Sequence, residues 1–303
     1  MFDSITVIYN PAAGRGKAAR TLARWHQRLP GRVTFLASER PGHGIELARK
    51  ACDSGATFVI AAGGDGTVHE VARGILASSR PEVIFAPLPL GSMNDYAFAL
   101  GLQEWWRKRQ PWEYLQTKRV DVGLIRGGGR EAHFVNCCGI GFNGMVTIEA
   151  RKIRRLRGIP LYALAVLQGL RRHFIAPPMN IQLDDKTITL PTLAMTIGLG
   201  PREGGFPLTK DAILDDGLFD TLHVSDVGRF ELIRHLPGMI TGNLPRDHAK
   251  LRFDRVRTVS VTSETPLCVH IDGEFFCLPD DRVKSIEVEV VERALTVATV
   301  PTV

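Results

Sequence analysis

The chain has 303 residues, 44% of them apolar and 23% charged, with 30 Gly and 18 Pro. That composition excludes a disordered, collagenous or low-complexity protein, and at about 150 residues per domain it points to two domains. The net charge is +6, and seven Lys or Arg against one Glu between Met145 and Ile175 account for all of it.

The first 125 residues alternate strand and helix signals. Ile5 to Tyr9 is a β-rich run, followed by the turn Asn10-Pro11-Ala12-Ala13-Gly14 and a helical stretch from Lys17 to Arg28. Val33 to Ala37 reads as a second strand and Ile45 to Ser54 as a second helix. Phe58 to Ala62 is a third strand, leading through Gly63-Gly64-Asp65-Gly66-Thr67 into a helix that ends near Leu76. Val83 to Leu88 is a fourth strand, leading through Gly91-Ser92-Met93-Asn94-Asp95 into another helix. Strand, glycine turn and helix in repetition specify a parallel α/β sheet, whose sites lie at the carboxyl ends of the strands. From about Val120 short strand-like pieces dominate: Val122 to Ile125, His133 to Asn136, Ile181 to Leu183, Leu193 to Ile197, Thr221 to Val224, Thr258 to Thr262 and Leu267 to Ile271. Turn residues separate them, which predicts a second domain rich in antiparallel sheet. Helical stretches interrupt it at Met145 to Arg171, broken near Gly158, and at Gly228 to Gly238. The cleft between two such domains is the expected place for a site.

Five cysteines (Cys52, Cys137, Cys138, Cys268 and Cys277) include no CxxC pair. They argue against a disulfide scaffold or a four-cysteine zinc site and fit a reducing cytoplasm. The start Met1-Phe2-Asp3-Ser4 shows no secretory signal. The longest apolar run, Ile159 to Leu167, is far below the roughly 20 residues of a spanning helix.

Gly63-Gly64-Asp65-Gly66-Thr67-Val68-His69-Glu70 carries the strongest chemical signal. Glycines between a strand and a helix let backbone amides approach a phosphate. Asp65 would repel that phosphate unless it meets it through Mg²⁺ or accepts a substrate hydroxyl proton. Thr67 and Glu70 also have the spacing of a capping box. A P-loop is excluded, because Gly14-Arg15-Gly16-Lys17-Ala18 lacks its spacing and its Ser/Thr, and a GxGxxG fingerprint is absent. Asp215-Asp216-Gly217 and Asp272-Gly273 read on their own as turns.

Taken together, Asn10 to Gly14, Gly63 to Val71 and Pro89-Leu90-Gly91-Ser92-Met93-Asn94-Asp95-Tyr96-Ala97 resemble the nucleotide-binding motifs of the diacylglycerol kinase catalytic family. More narrowly, the chain resembles the bacterial soluble lipid kinases related to sphingosine and ceramide kinases. The likeness continues in order through Val120-Asp121-Val122-Gly123, Phe134-Val135-Asn136, Asp215 to Asp220 and Ile271-Asp272-Gly273-Glu274. It implies an N-terminal Rossmann-like parallel α/β domain for ATP over residues 1–124, to which a tail at about 290–303 returns. A C-terminal antiparallel β-sandwich domain over 125–289 would receive the lipid. By position it assigns ATP contacts to Asn10, Pro11, Ala12, Ala13, Gly14, Ser38, Gly63, Gly64, Asp65, Gly66, Thr67, Val68, His69, Glu70, Ser92, Asn94 and Asp95. Glu274 matches the proton acceptor and Asp272 its neighbour, with Asp65 the third catalytic acid. Ile213, Asp216 and Leu218 match a second Mg²⁺ site of one carboxylate and two backbone carbonyls.

The chain departs from the pattern at Ser92, where bacterial members usually have Thr, and at His69, where many have Asn. Glu203 stands where the family tends to have Gly, and Lys210 where it tends to have Pro. The expected activity is a lipid kinase moving the γ-phosphoryl group of ATP to a lipid hydroxyl. An NAD kinase-like enzyme and a non-catalytic nucleotide- or lipid-binding regulator are the alternatives. The basic window, with Arg151, Lys152, Arg154, Arg155 and Arg157 beside Ile148, Ile153 and Leu156, predicts transient docking on an anionic membrane rather than nucleic acid binding. The expected location is cytoplasmic and peripheral to the membrane, with a homodimer left open. Trp105 and Trp106 beside Arg107 to Arg109 suit either a membrane interface or core packing, and Cys137-Cys138 reads as inert packing.

Overall fold

Strands and helices alternate from the start of the chain: β1 (Ser4–Tyr9), α1 (Ala13–Gly16), α2 (Ala18–His26), β2 (Arg32–Ala37), α3 (His43–Asp53), β3 (Phe58–Gly63), α4 (Asp65–Leu76), β4 (Ile84–Pro89), α5 (Asp95–Ala99) and α6 (Leu102–Lys108). The computed structural model describes residues 4–16, 18–26, 29–153, 155–156 and 158–300. The chain divides into two compact units, Met1–Asp121 with Glu292–Val303, and Val122–Val291.

In the first unit the strands lie parallel in the order β2-β1-β3-β4. Strands covered on both faces read as unbroken apolar runs, and all of Phe58–Gly63 is buried. The register sets Tyr9 beside both Ala37 and Ala62, and Ala62 beside Leu88, so the four strands end level. The loops after them therefore start from one edge of the sheet. Trp105 and Trp106 are 2% and 4% exposed, packed edge-on against each other and against Trp112, and Trp106 Nε1 donates to Pro87 O at 2.8 Å. Both rings belong to the core, so the membrane-interface reading of this pair falls.

The chain continues with β5 (Gln116–Gly127), β6 (Arg130–Phe134), β7 (Cys137–Gly141), α7 (Phe142–Lys152), α8 (Ile159–Arg172), β8 (Pro178–Leu183), β9 (Lys186–Pro191), β10 (Ala194–Gly198), β11 (Phe219–Val224), α9 (Arg229–Thr241), β12 (Leu251–Val256), β13 (Thr258–Ser263), β14 (Val269–Ile271), β15 (Glu274–Cys277) and β16 (Ser285–Thr299), all in the second unit except the start of β5, up to Asp121, and the end of β16, from Glu292. Six strands form an antiparallel sheet in the order β12-β11-β10-β7-β14-β15. A second layer pairs β9, β8 and β13 with the Ser285–Glu289 stretch of β16, again antiparallel. Phe134, Ile140, Ile181, Ile197, Phe219, Val261 and Ile286 fill one shared core, as facing sheets require. A separate apolar cluster gathers Phe142, Val166, Leu170 and Leu232 from α7, α8 and α9. The helix break predicted near Gly158 is real: this glycine has φ 65° and precedes Ile159 at the start of α8.

Candidate functional site

Each turn at the level edge of the first unit is stabilised by its own sequence. Asn10 follows β1, and its Oδ1 accepts the Ala12 amide at 2.9 Å, closing an Asx turn. Ser38 follows β2, its amide donating to Tyr9 O at 2.9 Å. Gly64 follows β3 and caps α4, whose buried face includes Thr67, Val68 and His69. Ser92 is exposed in the turn after β4. A side chain at Gly91 would collide with the Gly64 backbone, so these two turns approach to a distance that only glycine permits.

Asp65, expected to face Mg²⁺ or a substrate hydroxyl, has both oxygens on backbone amides. Oδ2 accepts Asn94 N at 3.0 Å and Oδ1 accepts Asp95 N at 2.8 Å, at the start of α5. Asn94 sits at φ 56°, and its own side chain clamps Gly91, accepting Gly91 N at 2.9 Å and donating to Gly91 O at 3.2 Å. The spacing of Thr67 and Glu70 is not used as a capping box, because α4 begins two residues before Thr67. Glu70 instead accepts Gly42 N at 2.7 Å and Gly44 N at 2.9 Å, holding the start of α3. Asp65 and Glu70 thus fasten neighbouring turns to α4.

In the second unit Asp272 and Glu274 share one tight turn between β14 and β15. Asp272, at φ 52° and 7% exposed, accepts three backbone amides: Val135 at 2.9 Å, Asn136 at 2.9 Å and Cys137 at 3.0 Å. Hydrogen bonds to a charged acceptor are worth about 1.5–3 kcal/mol each, so this carboxylate anchors the turn to β7. Glu274 is half-exposed, and its Oε2 accepts Arg151 Nη2 at 2.7 Å. The same Arg151 nitrogen donates to Gly273 O at 2.9 Å, and its guanidinium lies over the Phe275 ring at 4.4 Å. Arg151 was visible in the sequence only as one more member of a basic window.

The carboxylate expected to hold a second Mg²⁺ is already bonded. Asp216 Oδ1 accepts Leu218 N at 3.1 Å and Oδ2 pairs with Arg255, while Ile213 is half-exposed. Arg255 Nε also reaches Asp220 Oδ2 at 3.4 Å; burial pushes the Asp220 carboxyl above its ordinary value. In this arrangement the Arg255 guanidinium supplies, beside Asp216, the positive charge that a cation would bring. A cavity of about 260 Å³ adjoins them, lined in part by Thr209, Asp211, Asp220, Arg246 and Arg255. Among the described residues Glu231, His235 and His248 could also gather a metal. Glu231, however, already takes His248 Nε2 at 3.0 Å, Lys250 Nζ at 3.2 Å and the Gly228 amide at 2.9 Å.

The basic window is partly neutralised from within. Lys152 and Arg172 reach the fully buried Glu149 at 2.8 Å and 2.7 Å. Burial opposes the charge of Glu149, but hydrogen bonds from Lys152 and His173 and the nearby cations outweigh it and hold its carboxyl below the ordinary value. With Arg151 on Glu274, three of the window's cations serve internal contacts. Arg154 and Arg157 lie outside the described residues. Among the described residues no helix is long and apolar enough to cross a membrane.

The diacylglycerol kinase catalytic domain model matches residues 4–125, and the YegS C-terminal NAD kinase beta sandwich-like domain model matches residues 136–299. The chain belongs to the bacterial diacylglycerol kinase family of lipid kinases. It is 32% identical over 249 residues to a protein named "Probable lipid kinase YegS-like" from Chromohalobacter salexigens, covering 77% of this chain and 74% of that one. It is 28% identical over 284 residues to a diacylglycerol kinase of Staphylococcus saprophyticus, covering 89% and 88%. The crystal structure of a diacylglycerol kinase from Bacillus anthracis superposes with a TM-score of 0.71 at 21% identity, covering 99% and 98% of the two chains, and shows the same fold. Membership in this family makes the chain a kinase and the level strand edge its candidate nucleotide side.

Proposed function

We propose that this kinase transfers the γ-phosphoryl group of ATP to a hydroxyl of a diacylglycerol-like or related lipid. The observation that carries the reading is the close pair of glycine turns, Gly64 against Gly91, at the level end of a parallel sheet in a chain of the lipid kinase family. There the first amides of α4 are directed at phosphate, and Asn10, Ser38 and Ser92 offer side-chain contacts around it. The relatives named diacylglycerol kinase support the acceptor class. In the transfer the lipid oxygen forms a bond to the γ-phosphorus as the bond to the ADP leaving oxygen breaks. Glu274 takes the hydroxyl proton: Arg151 engages Oε2, and Oε1 is the oxygen presented to the acceptor. A divalent ion bound with ATP would neutralise phosphate charge, but Asp65 and Asp216 are bonded as described and no ligand set is assigned to it.

The same reading places the enzyme at the cytoplasmic face of an anionic membrane. Phe230 (89% exposed), Ile233 and Ile240 stand out from α9 at spacings that share one helix face, and exposed Arg229 and Arg234 flank them. Leu167 and Ile175 add exposed apolar surface beside Arg171. The deciding experiment is ADP release with diacylglycerol, phosphatidylglycerol, sphingosine, ceramide and undecaprenol-like acceptors. Turnover that needs one of these lipids supports the reading; tight ATP binding with no lipid-stimulated turnover overturns it. Binding to phosphatidylglycerol vesicles that salt reverses would support the membrane site, and equal binding to neutral vesicles would remove it.

A further inference from the structure

Glu203 and His270 lie 67 residues apart in sequence and meet inside the second unit. Thr196 of β10, Gly139 of β7 and His270 of β14 form one row across three strands. The middle position has no side chain, and a Cβ there would strike His270 and come within 2.7 Å of Glu203 Oε1. Glu203 fills that gap from the loop after β10. Its Oε2 accepts Thr196 Oγ1 at 2.6 Å and Asn143 Nδ2 at 3.1 Å, and its Oε1 meets His270 Nε2 at 2.9 Å. Both residues are buried, at 9% and 2% exposure, and no Arg or Lys is among the described partners of Glu203. A buried carboxylate with neither Arg nor Lys beside it depends on its hydrogen bonds to offset lost hydration, so plain packing gives no reason for it.

The other end of the contact leads to the acceptor turn. His270 Nδ1 accepts the Gly273 amide at 3.3 Å, which puts the ring proton on Nε2, facing Glu203. Gly273 O is held by Arg151, which also holds Glu274. The two peptide units that meet at Gly273 are therefore both held, the Asp272–Gly273 amide by the Glu203–His270 pair and the Gly273–Glu274 carbonyl by Arg151.

We propose that Glu203 and His270 are positioning residues, which fix the Asp272–Gly273 amide and, with Arg151 on the following carbonyl, aim the Glu274 carboxylate at the acceptor hydroxyl. This rests on the reading of Glu274 as the acceptor-side base. His270→Phe removes the acceptor of the Gly273 amide, and Glu203→Ala frees the His270 ring from its Oε1 partner, so each loosens the turn on the side away from Arg151. Turnover of the lipid should fall on the order of 10-fold to 100-fold, the range for a displaced catalytic group, with KM for ATP within about twofold. Glu203→Gln keeps an acceptor for His270 Nε2–H and should recover most of the loss. Nitrogen-15 spectra should show one neutral Nε2–H tautomer of His270 in the native enzyme and a mixture in Glu203→Ala. Should the larger changes prevent folding, Thr196→Val removes a single bond to Glu203 at nearly constant shape and should lower kcat in the same sense. Native-level kcat in the folded variants, or an unchanged tautomer in Glu203→Ala, overturns the proposal while leaving the kinase reading intact. A native enzyme without lipid-dependent turnover overturns both.

Discussion

In the first unit Asp65 and Glu70 both bond backbone amides of adjoining turns, whereas of the pair at the β14–β15 turn Asp272 does so and Glu274 stands half-exposed beside Arg151. The proposed nucleotide side is thus shaped by neutral backbone, with its acids serving as fasteners. The proposed acceptor side keeps one acid at the surface, held by a side-chain cation that can yield. A phosphate-binding turn needs fixed amides and gains nothing from an exposed anion. A group that must receive a proton needs access, and an exposed ion pair adds only about 0–1 kcal/mol to stability. The contrast predicts that substitutions in the first unit affect stability and activity together, and that the Glu274 pair affects activity alone.

Glu274→Gln tests the contrast most severely. The expected loss in kcat is on the order of 10²–10⁴-fold, with KM for ATP little changed and the melting temperature unmoved. A collapse of ATP affinity in that variant would move Glu274 to the nucleotide side. Asp272→Asn should behave differently from its neighbour, losing stability as well as kcat, since all three amides lose a charged acceptor and at least one loses its acceptor oxygen.

Asp65→Asn leaves one acceptor oxygen for two amides, a loss of about 1–3 kcal/mol. Calorimetry should show a lower melting temperature, by about 2–4 °C per kcal/mol, together with near-abolished turnover. Unchanged melting with abolished turnover would instead favour direct contact of Asp65 with the reacting groups. Gly91→Ala forces the Gly64 and Gly91 turns apart, an overpacking loss of about 1–3 kcal/mol that equilibrium ATP binding should register as weaker affinity.

The smallest effect concerns pH. Burial, with the Arg252 charge adding to it, lowers the His223 pKa from 6.5 to about 4. The folded chain holds this imidazole neutral where the unfolded chain protonates it, so its contribution is complete above about pH 6.5 and is lost as pH falls towards 4. Between pH 7 and 6 the change is less than about 1 kcal/mol, and His223→Gln should flatten that part of the stability profile. An equally steep profile in the variant would assign the slope to other groups.

Much of the first unit was legible because strand runs and glycine turns are local: Phe58–Gly63 followed by Gly64 announces both an element and its end. The strands Lys186–Pro191, Leu251–Val256 and Glu274–Cys277 were not anticipated, being short: the first and last return on their neighbours through two-residue turns, and Leu251–Val256 interleaves charged residues with apolar ones against β11. Distance in sequence hides side-chain roles. Nothing near Asp65 shows that its acceptor duty goes to amides 29 and 30 residues away, and Glu203 registered only as a departure from a glycine. Arg255, which pairs with the Asp216 carboxylate, sits 39 residues from it.

The strand β16 carries a consequence for biosynthesis. Its Val297 pairs with Phe85 of β4, Thr299 Oγ1 donates to Leu100 O at 3.0 Å, and the Arg293 amide reaches Asp121 Oδ1 across 172 residues. As the polypeptide leaves the ribosome, the first unit emerges early yet lacks these contacts until the entire second unit has followed. During that interval the β4 edge is open to pairing with another nascent chain, a hazard of unpaired strands in slow, non-local topologies. Final closure of the first unit is therefore timed by completion of the second, so its fold is finished only when nearly the whole chain has been made.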